Sequence, residues 1–271
     1  MRAEPRRYRT VFISDVHLGT RGCQAELLLE FIRELECETL FLIGDIVDGW
    51  KLKRGWFWPQ AHNDVVQKLL RMARKGVRIV YVPGNHDDRM RDFCGVHFGG
   101  VVVARDAVHE AADGRRYLVL HGDEFDGVAR HARWVAFLGD WAYRALIGLN
   151  TYLNRTRRRM GCGYWSLSAW IKSRMRNAQA YIAAYEAAAA GEARRRGLDG
   201  VVCGHIHQAN AREIEGVLYL NDGDWVESCT AVVEHADGRM ELIDWAASTR
   251  RAERARSVHP VEGVRTPALT G

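Results

Sequence analysis

Polar side chains that could bind metal ions stand directly after five short apolar runs of this 271-residue sequence. Burying such groups without partners would cost roughly 2–7 kcal/mol each, so something must satisfy them. They combine imidazole nitrogens with carboxylate and amide oxygens and include no thiolate, a set that suits Mn²⁺, Fe or Zn²⁺ better than a structural zinc. The motifs are Asp15 and His17 in SDVHLG, Asp45 in GDIVDG, Asn85 and His86 in GNHD, His121 in LHGDEFD, and His205 and His207 in GHIH.

The apolar runs before these motifs predict strands that alternate with helices in the first third of the chain. Strands are expected at 9–14, 39–45 and 77–82, and the apolar spacing predicts helices at 24–36 and 62–76. Open α/β sheets place ligand sites outside the carboxyl ends of their strands, so the motifs should meet at one edge. Alternate residues of a strand face the same way, so D-x-H and H-x-H would aim both side chains at one point if the extended backbone continued.

The second half of the core predicts antiparallel strands as well, which indicates mixed sheets. Residues 101–111 and 115–123 should pair around Asp113-Gly114, and the last two predicted strands should form a hairpin at Asp237-Gly238. A further strand is expected to run into GHIH at 200–207.

The chain is predicted to divide into a core, an insertion and a tail. Residues 1–126 and 199–245 carry the strand signals, whereas 127–198 combine many aromatic residues and arginines with helix-forming sequence. We therefore expect a helical cap inserted between two core strands. Residues 246–271 lack periodicity and are expected to form a flexible tail.

Composition is that of an ordinary globular protein, with 47% hydrophobic and 27% charged residues. The net charge of +5 fits an anionic substrate or an anionic membrane surface. Six scattered cysteines without a C-x-x-C pair, and an N-terminus without an apolar stretch, indicate a cytoplasmic protein with reduced thiols. No apolar run approaches the roughly 20 residues of a spanning helix.

Any one of these motifs alone would more often be a satisfied structural residue or a turn, but their ordered occurrence is distinctive. The series D-x-H, G-D-x-x-D, G-N-H-D, H-G and G-H-x-H resembles the calcineurin-like metallophosphoesterase superfamily over residues 9–245. The resemblance implies an α/β fold of two mixed β-sheets sandwiched between helices. It also implies a site for two divalent metal ions, with Mn²⁺ expected first and Fe or Zn²⁺ as alternatives.

The resemblance also implies a role for each motif residue. Asp45 would bridge the two metals, His86 would be a catalytic proton donor oriented by Asp87, and Asp48 would support the ligands without binding metal. Two metals in such a site can activate water for attack on phosphorus, while His86 protonates the leaving oxygen. The first metal would be bound by Asp15, His17, Asp45 and His207, and the second by Asp45, Asn85, His121 and His205.

Within the superfamily the chain is most similar to the UDP-2,3-diacylglucosamine diphosphatases of lipid A biosynthesis. Its length, the insertion before GHIH and the segment Gly223-Asp224-Trp225 carry this similarity. It implies hydrolysis of a lipid-linked nucleotide sugar at its pyrophosphate, a cap that binds acyl chains, and contact with the cytoplasmic face of the inner membrane. Residues expected to contact substrate are Asn85, His86, Asp126, Ser168, Lys172, Arg176 and His205.

Several alternatives stay open at this point. The best-known diphosphatases have G-N-R-D where this chain has His86, which leaves room for a phosphomonoester or phosphodiester whose alkoxide leaving group needs an acid. The aromatic residues of the insertion could form a small core rather than a lipid groove. A non-catalytic scaffold on the same fold is a remote alternative, and nucleic acid is not expected because the arginines form no recognisable binding motif.

Overall fold

The computed structural model describes residues 6–127 and 176–248. Within them, the chain forms two β-sheets with helices on their outer faces. The helices are α1 (Ala25–Glu34), α2 (Gly49–Arg54), α3 (Gln60–Arg74) and α4 (Arg176–Arg195), with 3-10 helices at Asp88–Phe93 and Asp123–Gly127. The strands are β1 (Arg6–Ser14), β2 (Leu35–Ile43), β3 (Arg78–Val82), β4 (His97–Phe98), β5 (Val101–Val103), β6 (Ala107–Glu110), β7 (Arg116–Val119), β8 (Gly200–Cys203), β9 (Asn210–Ile214), β10 (Val217–Asn221), β11 (Thr230–Glu234) and β12 (Met240–Asp244).

The first sheet has seven strands in the order β12-β11-β1-β2-β3-β5-β4. Strands β1, β2, β3 and β5 are parallel neighbours, with Phe12 opposite Phe41 and Ile43 opposite Val82. Strands β11, β12 and β4 pair in the antiparallel sense. The end of β1 is buried residue after residue rather than alternately, as expected for a parallel strand covered on both faces.

The second sheet has five strands in the order β6-β7-β8-β10-β9, with a parallel centre and antiparallel edges. Strands β6 and β7 form the predicted antiparallel pair. The prediction that Val101–Val103 belong to that pair was wrong, because these residues lie parallel to β3 in the first sheet. The chain crosses between the sheets at residues 104–106, where the exposed Arg105 interrupts the apolar run.

Three apolar layers hold the sheets and helices together. Between the sheets, buried residues such as Phe12, Phe41 and Val202 form one layer, and the two phenyl rings stack at 5.0 Å. Helices α1 and α3 cover the other face of the first sheet, and α4 covers the outer face of the second. This arrangement confirms the predicted fold class of two mixed β-sheets sandwiched between helices.

Helix α4 changes the expected extent of the insertion. Tyr185, Ala189 and Ala193 of α4 are fully buried against core strand residues such as Leu118 and Val201. The small side chains of Ala189 and Ala193 let the helix lie close to the sheet, so this part of 127–198 packs as core. The cap expected for the rest of that range falls on residues 128–175, outside the described residues, and stays a prediction.

The boundary between core and C-terminal tail was expected between residues 245 and 246. Trp245 and Ala246 are both buried, so the packed core includes Ala246 as well. The tail beyond residue 248 is outside the described part of the chain. Across residues 6–127 and 176–248, none of the helices combines the length and the hydropathy needed to cross a membrane.

Candidate metal centre

The carboxyl ends of five strands from both sheets converge on one site. Asp15 and His17 follow β1, Asp45 follows β2, Asn85 and His86 follow β3, His121 follows β7, and His205 and His207 follow β8. The structure therefore brings together all seven side chains that were expected to bind metal. Asp45 and His121 are almost fully buried, whereas His205 and His207 are partly exposed.

Most of these residues do not continue their strands. Five of them have a left-handed backbone, a conformation that is uncommon and strained for residues other than glycine. The two side chains of D-x-H and H-x-H are therefore aimed by tight turns, and the extended geometry assumed from the sequence was wrong. The φ angles are +50° at Asp15, +53° at His17, +53° at Asp45, +69° at His205 and +52° at His207.

The first expected ligand group is compact. His207 Nε2 lies 3.1 Å from Asp15 Oδ1 and 3.3 Å from His17 Nε2. His17 Nε2 in turn lies 3.9 Å from Asp15 Oδ1 and 3.8 Å from Asp45 Oδ2. Two imidazole nitrogens and two carboxylates thus face one small volume.

The second group lies on the other side of Asp45. His121 Nε2 is 3.6 Å from Asp45 Oδ1 and 3.2 Å from Asn85 Oδ1. The His205 ring lies 5.0 Å from that of His121. Because the two oxygens of Asp45 face different histidines, its carboxylate is placed to bridge two cations.

The donors fit divalent metal ions. Three overlapping groups, Asp15–His17–His207, His17–Asp45–His86 and Asp15–Asp45–His121, each keep their ligand atoms within 4.8 Å of one another. Asp15 Oδ1 is buried and accepts no hydrogen bond from the described residues. A cation at this position would satisfy that oxygen and both facing imidazole nitrogens.

Electrostatics keep the carboxylates ionised. Burial alone would raise the pKa of Asp15, but the neighbouring His207 lowers it to about 2. Burial likewise opposes ionisation of Asp45, yet His121 and His17 hold its pKa far below the usual range. In the other direction, Asp45 outweighs burial and raises the pKa of His121 to about 10. A metal ion must therefore displace a proton from His121 when it binds.

A buried relay fixes the orientation of Asp15. Burial raises the pKa of Asp222 well above its ordinary value. Its Oδ1 lies 2.6 Å from Ser14 Oγ, which lies 2.5 Å from Asp15 Oδ2. The Ser14 hydroxyl is thus shared between the Asp15 and Asp222 carboxyl groups, while the His205 N–H donates to the same Asp15 oxygen at 2.9 Å. These contacts occupy Oδ2 and leave Oδ1 facing the site.

His86 lies beside the ligand groups, and Asp48 holds it. Nδ1 of His86 is 3.0 Å from Asp48 Oδ2, an ion-pair distance without hydrogen-bond alignment, and Nε2 is 3.9 Å from Asp45 Oδ2. The indole of Trp50 packs on the imidazole at a centroid distance of 4.3 Å. Asp48 Oδ2 also lies 3.2 Å from His17 Nδ1, so one carboxylate supports a ligand ring and the expected proton donor.

Asp87 does not contact the His86 ring, contrary to the expected orienting role. Its carboxylate accepts hydrogen bonds from the backbone N–H groups of Gly84 at 2.6 Å and Ile46 at 2.9 Å, and from the Tyr81 hydroxyl. These donors occupy the Asp87 carboxylate, and the His86 ring points away from it toward Asp48. Asp87 therefore fastens the loop after β3 to the loop after β2, and Asp48 takes the expected place behind His86.

The residues expected to contact substrate are only partly described. Asp126 accepts hydrogen bonds from His205 Nε2 and the Tyr181 hydroxyl, both at 2.8 Å, so it stands against an expected ligand. Ser168 and Lys172 lie outside the described residues. Arg176 begins α4, and its side chain is likewise outside the described part.

Several residues that shape the site were missed from the sequence. A Cβ on Gly84 would lie 2.3 Å from Asp45 Oδ1, and one on Gly204 would lie 2.4 Å from Asp15 Oδ2. The sequence did carry a signal for these glycines, because three of the motifs begin with a glycine: G-D, G-N and G-H. Tyr185 gave no such signal, yet its hydroxyl lies 3.2 Å from the carbonyl oxygens of both His121 and Gly204.

Residues 8–209 match the family described as calcineurin-like phosphoesterase. The chain belongs to this family and is a metal-dependent phosphoesterase, and the family uses divalent metals.

Several relatives carry the name UDP-2,3-diacylglucosamine hydrolase. The one from Xanthomonas campestris is 26% identical over 84% of this chain and 96% of its own length. The one from Neisseria gonorrhoeae is 30% identical over 41% of this chain, and this match spans about half (47%) of that relative. A solved E. coli phosphoesterase is similar at 16% identity and a TM-score of 0.41, covering 87% of this chain and 98% of its own.

Proposed function

We propose that this protein hydrolyses the pyrophosphate bond of UDP-2,3-diacylglucosamine, releasing UMP and 2,3-diacylglucosamine 1-phosphate in lipid A biosynthesis. The observation that carries the proposal is similarity to a UDP-2,3-diacylglucosamine hydrolase over 84% of this chain and 96% of the relative. The converging carboxylates and imidazoles support it, because two metal ions are suited to attack on a phosphoryl group.

Two divalent ions, Mn²⁺ in the first instance and Fe or Zn²⁺ as alternatives, would be held by the two donor groups around Asp45. When bound, they supply charge stabilisation for the phosphoryl oxygens and an acidified water. The residues of the chain do the positioning. Asp45 fixes the spacing of the groups, Asn85 and His205 are proposed to contact substrate as well as metal, and Asp48 holds His17 and His86. His86 Nε2 faces the site and is placed to give a proton to the leaving oxygen.

A phosphomonoester or phosphodiester is the second candidate substrate. The observation that favours it is the place of His86, whose Nε2 lies 3.9 Å from Asp45 Oδ2 beside the ligand groups. A phosphate leaving group hardly needs an acid, whereas an alkoxide does. A histidine in this position therefore suits an ester with a poor leaving group.

The lipid part of the proposal rests on the insertion. We propose that residues 128–175 cap the site and bind acyl chains, with Ser168, Lys172 and Arg176 near the sugar phosphate. We also propose a cytoplasmic protein that contacts the inner membrane surface to reach its substrate. The net charge of +5 supports contact with anionic lipid.

A substrate comparison tests the proposal. Purified full-length protein with Mn²⁺ is incubated with UDP-2,3-diacylglucosamine, with UDP-N-acetylglucosamine as the control without acyl chains, and with phosphomonoesters and phosphodiesters. The proposal expects UMP release from the acylated substrate at a far higher kcat/KM than from any other. Fast turnover of an alkyl phosphate ester, with no UMP released from the acylated substrate, would instead establish the second candidate.

A further inference from the structure

A cleft of about 800 Å³ opens beside the metal centre on the side of α2. His17, His86 and His207 form its inner end. A substrate whose phosphorus reaches the metal centre would therefore extend one of its halves into this cleft. The side chains on the wall of the cleft indicate which half of the substrate binds there.

The outer wall of the cleft is positively charged. Arg21, Lys51 and Arg54 line it, and all three are exposed. None of their side chains forms an ion pair with a carboxylate of the described residues, whereas Arg91 is paired to Asp123 at 2.6 Å. Three cations on one wall, with no acidic partner among residues 6–127 and 176–248, favour an anionic ligand.

The same wall offers aromatic surface. Trp50 lines the cleft with 44% of its surface exposed, although its ring already packs on His86. Phe57 also lines it, with the Arg21 guanidinium 4.6 Å from its ring centroid. The exposed surface of Trp50 could stack a flat group within reach of the basic side chains of the wall. Acyl chains would gain nothing from three cations, whereas a nucleobase with an attached phosphate uses both features.

We propose that this wall is the binding subsite for the nucleoside monophosphate half of the substrate, with the base stacked on Trp50 and the phosphate against Lys51 and Arg54. The inference rests on the proposed function for its physiological substrate. It assigns the nucleotide to the α2 side of the metal centre and leaves the other side for the diacyl sugar. It also makes Trp50 a residue that selects nucleotide-linked substrates over simple phosphate esters.

Calorimetric binding of UMP to the full-length Mn²⁺-loaded protein tests this subsite without requiring turnover. Trp50→Ala should weaken UMP binding about tenfold to a hundredfold, as removal of a base-stacking aromatic usually does. Trp50→Phe should restore most of the affinity, and Lys51→Ala with Arg54→Ala should weaken binding about tenfold or more. Inorganic phosphate binding should respond to the two cation variants but not to Trp50→Phe.

The matched controls come from the same segment. Trp56 is 77% exposed and Lys53 belongs to α2, and neither lines the cleft. Trp56→Ala and Lys53→Ala should leave the UMP dissociation constant within twofold. Equal losses from control and test variants, or no UMP binding by the wild-type protein, would overturn the subsite.

This result is separable from that of the proposed function. If UDP-2,3-diacylglucosamine is not hydrolysed but UMP binding follows the expected pattern, the subsite stands and serves another nucleotide-linked substrate. If the lipid substrate is hydrolysed and its KM is unchanged in Trp50→Ala, the proposed function stands and the subsite is wrong. Circular dichroism on each variant confirms that the fold is retained before these comparisons are made.

Discussion

The Nδ1 atom of His86 lies 3.0 Å from Asp48 Oδ2, the same oxygen that lies 3.2 Å from Nδ1 of His17. One buried carboxylate thus contacts both His17, which is proposed to bind metal, and His86, which is proposed to transfer a proton. The contacts from His17 and His86 outweigh burial and lower the pKa of Asp48, so it stays charged at neutral pH.

His86→Ala should separate substrates by their leaving groups. On an alkyl phosphate ester the rate should fall by roughly 10²–10⁴, because the general acid is lost. On a nitrophenyl ester or a pyrophosphate the loss should be much smaller, since those leaving groups depart without a proton. The measurement is kcat/KM for the three substrates on one preparation. Equal losses on all three would leave His86 as a phosphate-binding residue rather than an acid.

Asp48→Ala should instead slow every substrate, by about 10–100-fold, the usual cost of removing a partner of a metal ligand. His17 would lose its orienting carboxylate, so metal content should fall together with kcat. Asp88→Ala is the matched control, because Asp88 is an exposed aspartate in the His86 loop. Metal content is measured by elemental analysis. A variant that keeps full metal content and loses activity only on poor leaving groups would contradict the shared role.

Asp45→Ala tests whether the Asp45 carboxylate bridges two metal ions, as proposed. Its two oxygens face His17 at 3.8 Å and His121 at 3.6 Å, so removal leaves neither donor group complete. Activity should become undetectable, and the protein should bind fewer than two metal ions. Near-normal turnover with metal bound would show that the site does not work as a bridged pair.

The strand ends could be predicted because each apolar run stops at a polar residue, and this alone located Asp45 and His121. What the sequence could not supply was the backbone at Asp15 and His207. Their left-handed turns depend on contacts between distant segments, such as Asp15 N–H to Gly44 O at 3.1 Å and His205 N–H to Asp15 Oδ2 at 2.9 Å. Spacing in one strand carries no information about such contacts.

The roles of Asp87 and Tyr185 were hidden for a related reason. The family resemblance implied that Asp87 orients His86, but these neighbouring side chains point in different directions and Asp87 accepts hydrogen bonds from Gly84 and Ile46. Tyr185 lies in a helix, 64 residues after His121 in the sequence. Only the packing of α4 on the second sheet brings its hydroxyl to the site.

Gly84→Ala should damage the centre although it adds one methyl group. The added Cβ would lie 2.3 Å from Asp45 Oδ1 and 2.7 Å from both Asp45 N and His121 Nε2, so backbone or ligands must shift. We expect a loss of activity of at least tenfold with a fall in metal affinity, since a displacement of about 1 Å can cost 10²-fold. Gly191→Ala in α4 is the control, because its Cβ would meet nothing within 4 Å. Unchanged metal affinity in Gly84→Ala would contradict the close approach.

The buried Glu234 on β11 should make the stability of the fold depend on pH, because it links the two sheets. Its carboxylate accepts hydrogen bonds from Arg9 of β1 at 2.6 Å, from the Ala112 N–H at 2.8 Å, and contacts His109 Nε2 of β6 at 2.8 Å. Burial alone would raise the pKa of Glu234, but the contacts with His109 and its other donors lower it from 4.5 to about 2. A carboxyl with a depressed pKa contributes stability that is complete above its unfolded pKa and is lost as the pH falls through its folded pKa.

Glu234→Gln should therefore lower the free energy of unfolding at pH 7 by about 1.5–3 kcal/mol. The difference from wild type should shrink as the pH falls from about 4.5 toward 2 in denaturant titrations at each pH. Glu110→Gln, which alters an exposed glutamate of β6, should show no such pH-dependent difference. A constant wild-type to Glu234→Gln difference from pH 7 to the acid limit would mean that the ionised carboxylate is not what joins the sheets.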